Sequence, residues 1–323
     1  ASTASTSEAW EGNGKYAKYT QAWKYYNSVE DGSRVSKGWF KVVPAEMLNK
    51  EKYDDDEESW YYADGSGNLY AGEFKTIKGK KYAFRNDGRM LTGLKFIKEG
   101  DEDFADVKAD DDDDYPFDTE DDFIENAPYY ENANYKCYYF GDGDDGSMKT
   151  NKINIDIDGD KFNFYFEKSG SKKGAGKTGE KDDKYYQSGM LLKAGKDEKY
   201  QVVKTLDPTI DKNDAGEGLK GYKKLDDVKT FLEELGMDTT SAYTTDPSKV
   251  SLSKLNITKS ADNIDELYVI PEKDDNNQAV KGKYFIVNTS GKVIDSKSRN
   301  KDGNDYYYAT GSKGEILAIY TEK

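Results

Sequence analysis

Short bursts of aromatic residues alternate with polar ones along this chain, and each burst runs into a glycine-bearing bend. The stretch SWYYADGSGNLYAG, residues 59–72, shows the layout: an aromatic cluster, a D-G and an S-G step, then a second apolar stretch. Hydrophobic and polar residues alternating with a period of two mark a half-buried strand. Glycine in the bend supplies the positive φ of a tight hairpin, so each burst predicts a strand, a turn and a short return strand. The layout also recurs at a fixed step. Trp60, Gly67, Leu69 and Gly72 are matched 21 residues later by Lys81, Gly88, Met90 and Gly93.

Six looser copies keep the same order. They are WKYYNSVEDGSRVSKGWFKVV from Trp23, CYYFGDGDDGSMKT from Cys137, NFYFEKSGSKKGAG from Asn163, KYYQSGMLLKAG from Lys184, YFIVNTSGKVI from Tyr284 and YYYATGSKGEILAIY from Tyr306. A lone two-stranded hairpin is barely stable in water, so such units must stack and bury one another's rings. The expected fold is therefore mainly β, an array or solenoid of β-hairpin repeats of about 20 residues with a small helical insertion.

One segment breaks the pattern. In LDDVKTFLEELG, the residues Leu225, Val228, Phe231, Leu232 and Leu235 fall at helical spacing, with Gly236 at the position that ends a helix. It reads as a helix laid over a sheet to cover apolar surface. The expected organisation is thus an N-terminal segment (1–19), a module of three units (20–100), an acidic linker or loop (101–134), central units (135–205), a helix-containing insertion (206–270) and C-terminal units (271–323).

The unit GKKYAFRNDGRMLTG, and nearly as well SWYYADGSGNLYAG, resembles the cell-wall-binding repeats of Gram-positive surface proteins, the family of choline-binding and glucan-binding modules. The resemblance covers roughly half of the chain. It implies a non-catalytic surface protein whose ligand sits among aromatic residues of successive units. Carried onto matching positions, it implies Trp39, Trp60, Tyr61, Tyr82 and Met90 as ligand-binding residues. The tryptophan after the closing glycine survives only as Gly38-Trp39 and is replaced by Glu73 and Leu94 in the next two units. That departure points to a sugar-like or degenerate site over a choline cage.

Composition narrows the chemistry further. Only 35% of the 323 residues are apolar, while 27 are tyrosine, which suits thin layers whose rings pack and whose hydroxyls stay wet. The net charge is −15, but residues 101–125 hold 14 acidic residues and one lysine, leaving about −2 for the rest. Adjacent like charges favour hydrated chain, which is why this run reads as a linker or loop. No basic footprint for a nucleic acid is present. With one cysteine, Cys137, and no histidine, the chain has no internal disulfide, no histidine-based zinc site and no Ser-His-Asp or Cys-His nucleophile. No stretch approaches the 18 apolar residues of a membrane span. The small residues of the opening ASTASTSEAW resemble those that follow a cleaved export signal, so a secreted or cell-surface, wall-associated location is expected.

Two motifs invite chemistry and read as structure. GSKKGAGKTGEK lacks the first glycine of a phosphate-binding loop, which is Ser171, and no apolar helix follows it. NIDIDGDKFNF sets Asn154, Asp156, Asp158 and Asp160 around Gly159 like the start of a calcium loop. Its twelfth position is Tyr165, however, and its isoleucines alternate as in a strand. No pair of carboxylates stands out as catalytic, and no metal or cofactor is implied. The sequence therefore leads to a secreted, non-catalytic surface protein that binds cell-wall or other polysaccharide through stacked aromatic hairpins. The alternative is a structural or adhesin-type spacer whose repeats are scaffold and whose insertion or acidic segment meets a protein partner.

Overall fold

The computed structural model describes residues 2–3, 24–26, 33–46, 48–108, 118–296 and 299–323. The expectations for the N-terminal segment beyond Thr3, for the bend at Gly32 and for residues 109–117 lie outside the described residues. The fold is mainly β, with many small antiparallel sheets and few helical segments. Chain contacts divide it into two units. Ala1–Asp118, Asn134–Ile153 and Phe166–Gly176 form the first; Thr119–Ala133, Asn154–Tyr165 and Lys177–Lys323 form the second.

In the first unit, Gly38–Val42 pairs with Ser59–Ala63 and Glu73–Ile77 with Lys80–Phe84. Leu94–Glu99 lies between Phe104–Lys108 and Lys136–Tyr139. The sequence pattern puts each hairpin inside one burst, from the aromatic strand across the D-G bend. The register puts the long pairing one step earlier, where Ile77 faces Lys80 around the two-residue turn Lys78-Gly79, both residues at positive φ. Across the D-G bend the return is a single bridge, Ala63 to Leu69, repeated 21 residues on as Phe84 to Met90. The closing glycines explain the short return: Gly72 and Gly93, at φ +66° and +73°, turn the chain out of the strand path three residues past the bridge.

Successive units are joined by a repeated contact. The Trp60 carbonyl accepts from the Met90 N–H at 2.8 Å, and the Lys81 carbonyl accepts from the Met148 N–H at 2.8 Å. In five cases the apolar residue two past a turn glycine lies against the turn glycine of a later unit. Leu69 meets Gly88 in this way, Met90 meets Gly146 and Met148 meets Gly174; in the second unit Leu191 meets Gly291 and Val293 meets Gly314. Gly174 thus takes the role the sequence pattern gives to Gly170, because the bridge Phe166 to Gly176 closes a longer bend.

The acidic stretch is not linker or loop throughout. Phe104–Lys108 is a strand whose Phe104 is buried, and Glu120–Asn132 is a 13-residue helix. Thr119 caps that helix by accepting from the Asp122 N–H, and Glu120, Asp121 and Asp122 occupy its first turn, where the helix dipole favours negative charge. Its buried face is Phe123, Ile124, Ala127, Pro128 and Tyr130. Charge therefore masked an amphipathic pattern of ordinary spacing.

In the second unit, Tyr200–Leu206 is flanked by Gly221–Leu225 and Tyr284–Asn288. A four-stranded sheet runs Ile264–Val269, Ile316–Glu322, Tyr307–Thr310, Asn300–Lys301. A five-stranded sheet, of which all but residues 151–153 and Phe166 belong to this unit, takes Asn151–Ile157, Asp160–Phe166, Met190–Leu191, Lys184–Gln187 and Gly179–Lys181 in that order. The helix read from LDDVKTFLEELG is present as Val228–Glu234, capped by Asp227 and followed by Gly236 at φ +72°. Val228, Phe231, Leu232 and Leu235 pack with Val202, Leu225 and Ile286 of the central sheet. The calcium-like stretch is strand and turn: Ile155 and Ile157 are buried, Asp156 Oδ1 accepts from the Gly159 N–H, and Asn154 accepts from Asn163.

Candidate functional site

Strand alternation sorts the aromatic burst at 60–62 into two faces. Tyr61 points one way, with Ala63 and Leu69, and stacks on Phe40 at 5.7 Å. Trp60 and Tyr62 point the other way, toward a cluster formed by Trp39, Tyr70, Tyr82, Phe84, Met90 and Ile77. Four of the five residues the resemblance implies, Trp39, Trp60, Tyr82 and Met90, are thus brought together. Tyr61 is not among them: it is 1% exposed, its hydroxyl is buried without a hydrogen-bond partner, and burial pushes its pKa far above the usual tyrosine value.

Trp39 is the hub of this cluster. Its ring lies 4.8 Å from Tyr82, 5.1 Å from Tyr62, 5.8 Å from Phe84 and 6.3 Å from Trp60, mostly edge to face. Tyr62 and Tyr70 stack nearly parallel, at 5.2 Å and 8°. Phe84 and Met90 are buried beneath, while Trp39, Trp60, Tyr62, Tyr70 and Tyr82 remain partly open to solvent. The cross-strand pairs Trp39–Tyr62 and Lys41–Trp60 fix the arrangement through the sheet register.

Charged groups border the rings. The bend GDGDDG brings Asp144 to Trp60, whose Nε1–H donates to Asp144 Oδ1 at 2.9 Å. Lys41 Nζ donates to the same oxygen at 3.1 Å and stands 5.8 Å from the Trp60 ring centroid. The Trp60 hydrogen bond, and after it Lys41, lowers the Asp144 pKa below the usual carboxylate value. On the far side of the cluster, Lys75 Nζ stands 5.0 Å from the Tyr70 ring and 3.1 Å from Glu73. Burial, with the neighbouring Asp145 charge, raises the Tyr82 pKa. A face of this kind offers flat apolar rings beside donors and acceptors.

Sequence reasoning missed Tyr62, Tyr70, Lys41, Lys75 and Asp144. The first two could have been found from alternation, since Tyr62 shares the face of Trp60. Lys41 could have been found from strand pairing, but Asp144 lies in a bend two units further along and carries no local signal.

No protein-family model matches the chain, and no curated protein matches it. Among solved structures, the chain is similar to choline binding protein F from Streptococcus pneumoniae, at 20% identity over 53% of this chain and 44% of that one, with a TM-score of 0.18. It is also similar to CbpJ from Streptococcus pneumoniae, at 20% identity over 61% and 55%, with a TM-score of 0.18. A third is the pneumococcal cell wall endolysin from phage Cp-1 complexed with choline, at 17% identity over 54% and 37%, with a TM-score of 0.22. The chain spans about half or less of the length of these structures.

Proposed function

We propose that the protein is an exported, non-catalytic binding protein of a Gram-positive cell surface that holds cell-wall glycan, or another polysaccharide, on its aromatic hairpins. The observation that carries this reading is the gathering of five partly open rings, Trp39, Trp60, Tyr62, Tyr70 and Tyr82, on one face of the first unit. Sugar rings present C–H faces to such aromatics and hydroxyls to the polar tips and charges at their border. The repeat resemblance supplies the cell-surface context. Further units would add avidity wherever the polymer repeats at a compatible spacing.

Glycan hydrolysis uses one carboxyl kept protonated near a second, ionised one. The pKa of Asp302 is shifted upward, chiefly by burial, and that carboxylate caps a turn by accepting from the Asn304 and Tyr306 N–H groups. The test is retention on purified peptidoglycan, teichoic acid and insoluble glucans. The intact chain is expected to be retained on at least one and released by Trp39→Ala with Trp60→Ala, with circular dichroism confirming that the variant is folded. No retention on any of them overturns the proposal, and retention unchanged by folded Trp39→Ala/Trp60→Ala removes the cluster as its site.

A further inference from the structure

Two outer rings of the cluster already carry a cation from the chain itself. Lys41 Nζ stands over Trp60 at 5.8 Å, and Lys75 Nζ stands over Tyr70 at 5.0 Å, both within the roughly 6 Å at which a ring face attracts a cation. Neither ammonium is placed by its own rotamer alone. Lys41 is the cross-strand partner of Trp60 and is held by Asp144, which also holds the indole N–H; Lys75 is the cross-strand partner of Tyr82 and is held by Glu73. Each pair thus has the parts of an ammonium-binding site, with the ammonium supplied in cis.

We propose that Lys41 and Lys75 are specificity-determining residues that occupy the cation positions of the cluster, so that it excludes small ammonium ligands and selects uncharged sugar rings. The selection of sugars rests on the polysaccharide reading above; the exclusion of cations does not. An ammonium ligand must first displace a lysine that is tethered to a carboxylate. A sugar needs no such displacement. Lys41 Nζ can give further hydrogen bonds, and among the described residues Asp144 Oδ2 has no hydrogen-bond partner, so hydroxyl groups can be bound with the Lys41–Asp144 pair intact.

The experiment is a fluorescence titration of the intact chain with choline chloride and with tetramethylammonium chloride, against sodium chloride at equal ionic strength, together with retention on the wall polymers. Lys41→Met with Lys75→Met keeps the stem of each side chain and removes the charge. This double variant is expected to bind both cations at least about tenfold tighter than the wild type, while Lys41→Arg with Lys75→Arg, which keeps the cations, behaves as the wild type. Asp144→Asn releases one tether and is expected to give a smaller gain. Equal cation affinity in the wild type and a folded Met variant overturns the proposal, as does a gain with the Arg variant. If the Met variant does not fold, Asp144→Asn decides: no gain there overturns the proposal. If the wild type is retained on no polymer while the Met variant gains cation binding, the polysaccharide reading fails and the cation exclusion stands. The reverse result, retention without a gain, leaves the polysaccharide reading and removes the role of the lysines.

Discussion

Met90 lies directly against the α-carbon of Gly146, in the space that a Cβ on that residue would need, and Met148 stands in the same relation to Gly174. Gly146 is also at φ +66°, a conformation side chains rarely adopt. The turn glycine of the repeat therefore answers two needs at once: the bend, and the seat of an apolar side chain from an earlier unit. Gly146→Ala is expected to cost about 1–3 kcal/mol, from overpacking and left-handed backbone together. Urea denaturation measures it. Adding Met90→Ala should recover the overpacking part alone, and an additive double mutant would refute the contact.

The two faces of the 60–62 burst should separate in function. Tyr61→Phe removes a buried hydroxyl that has no partner, so stability should stay level or rise by up to about 1 kcal/mol, with polymer retention unchanged. Tyr61→Ala should cost about 3–5 kcal/mol by opening a cavity. Thermal melts together with retention assays distinguish these outcomes. Loss of retention in a folded Tyr61→Phe would place that hydroxyl in the site after all.

Asp144 gives the cluster an acid limit. Its folded pKa is lowered by Trp60 and then by Lys41, so its contribution is present above the ordinary aspartate pKa and is lost as pH falls through the lowered folded value. The Trp60 indole N–H resonance is expected to titrate below the usual aspartate range and to lose that transition in Asp144→Asn. A Trp60 signal that does not move under acid would contradict the contact.

The helix Glu120–Asn132 should depend on its cap. Thr119→Ala removes the acceptor for the Asp122 N–H and should cost about 1 kcal/mol, measured by denaturation. Thr119→Asp, which can accept the same bond, should restore most of it.

Much of the architecture could be read from periodicity, because one short unit must satisfy the same constraints each time it is used. The 21-residue step, the bends and the helix before Gly236 all follow from local spacing. Glu120–Asn132 escaped because its charges weighed more than its pattern, although Thr119 and Asp122 form a capping pair and Phe123, Ile124 and Ala127 share a face. The site divided along the same line. Trp39, Trp60, Tyr82 and Met90 could be named from a matching motif. The opposite facing of Tyr61 was also written in the alternation, whereas the meeting of Trp60 with Asp144, 84 positions apart, depends on how units stack.

The contact between Leu191 and Gly291 has the same form as that between Leu69 and Gly88, yet residues 192 to 290 intervene, including the helix Val228–Glu234 and four strands. What the joint specifies is a peg and a seat, indifferent to the length of chain that separates them. A fold assembled from such joints can take in whole substructures between neighbours and still close, so new surface can be grafted onto it without redesigning its interior.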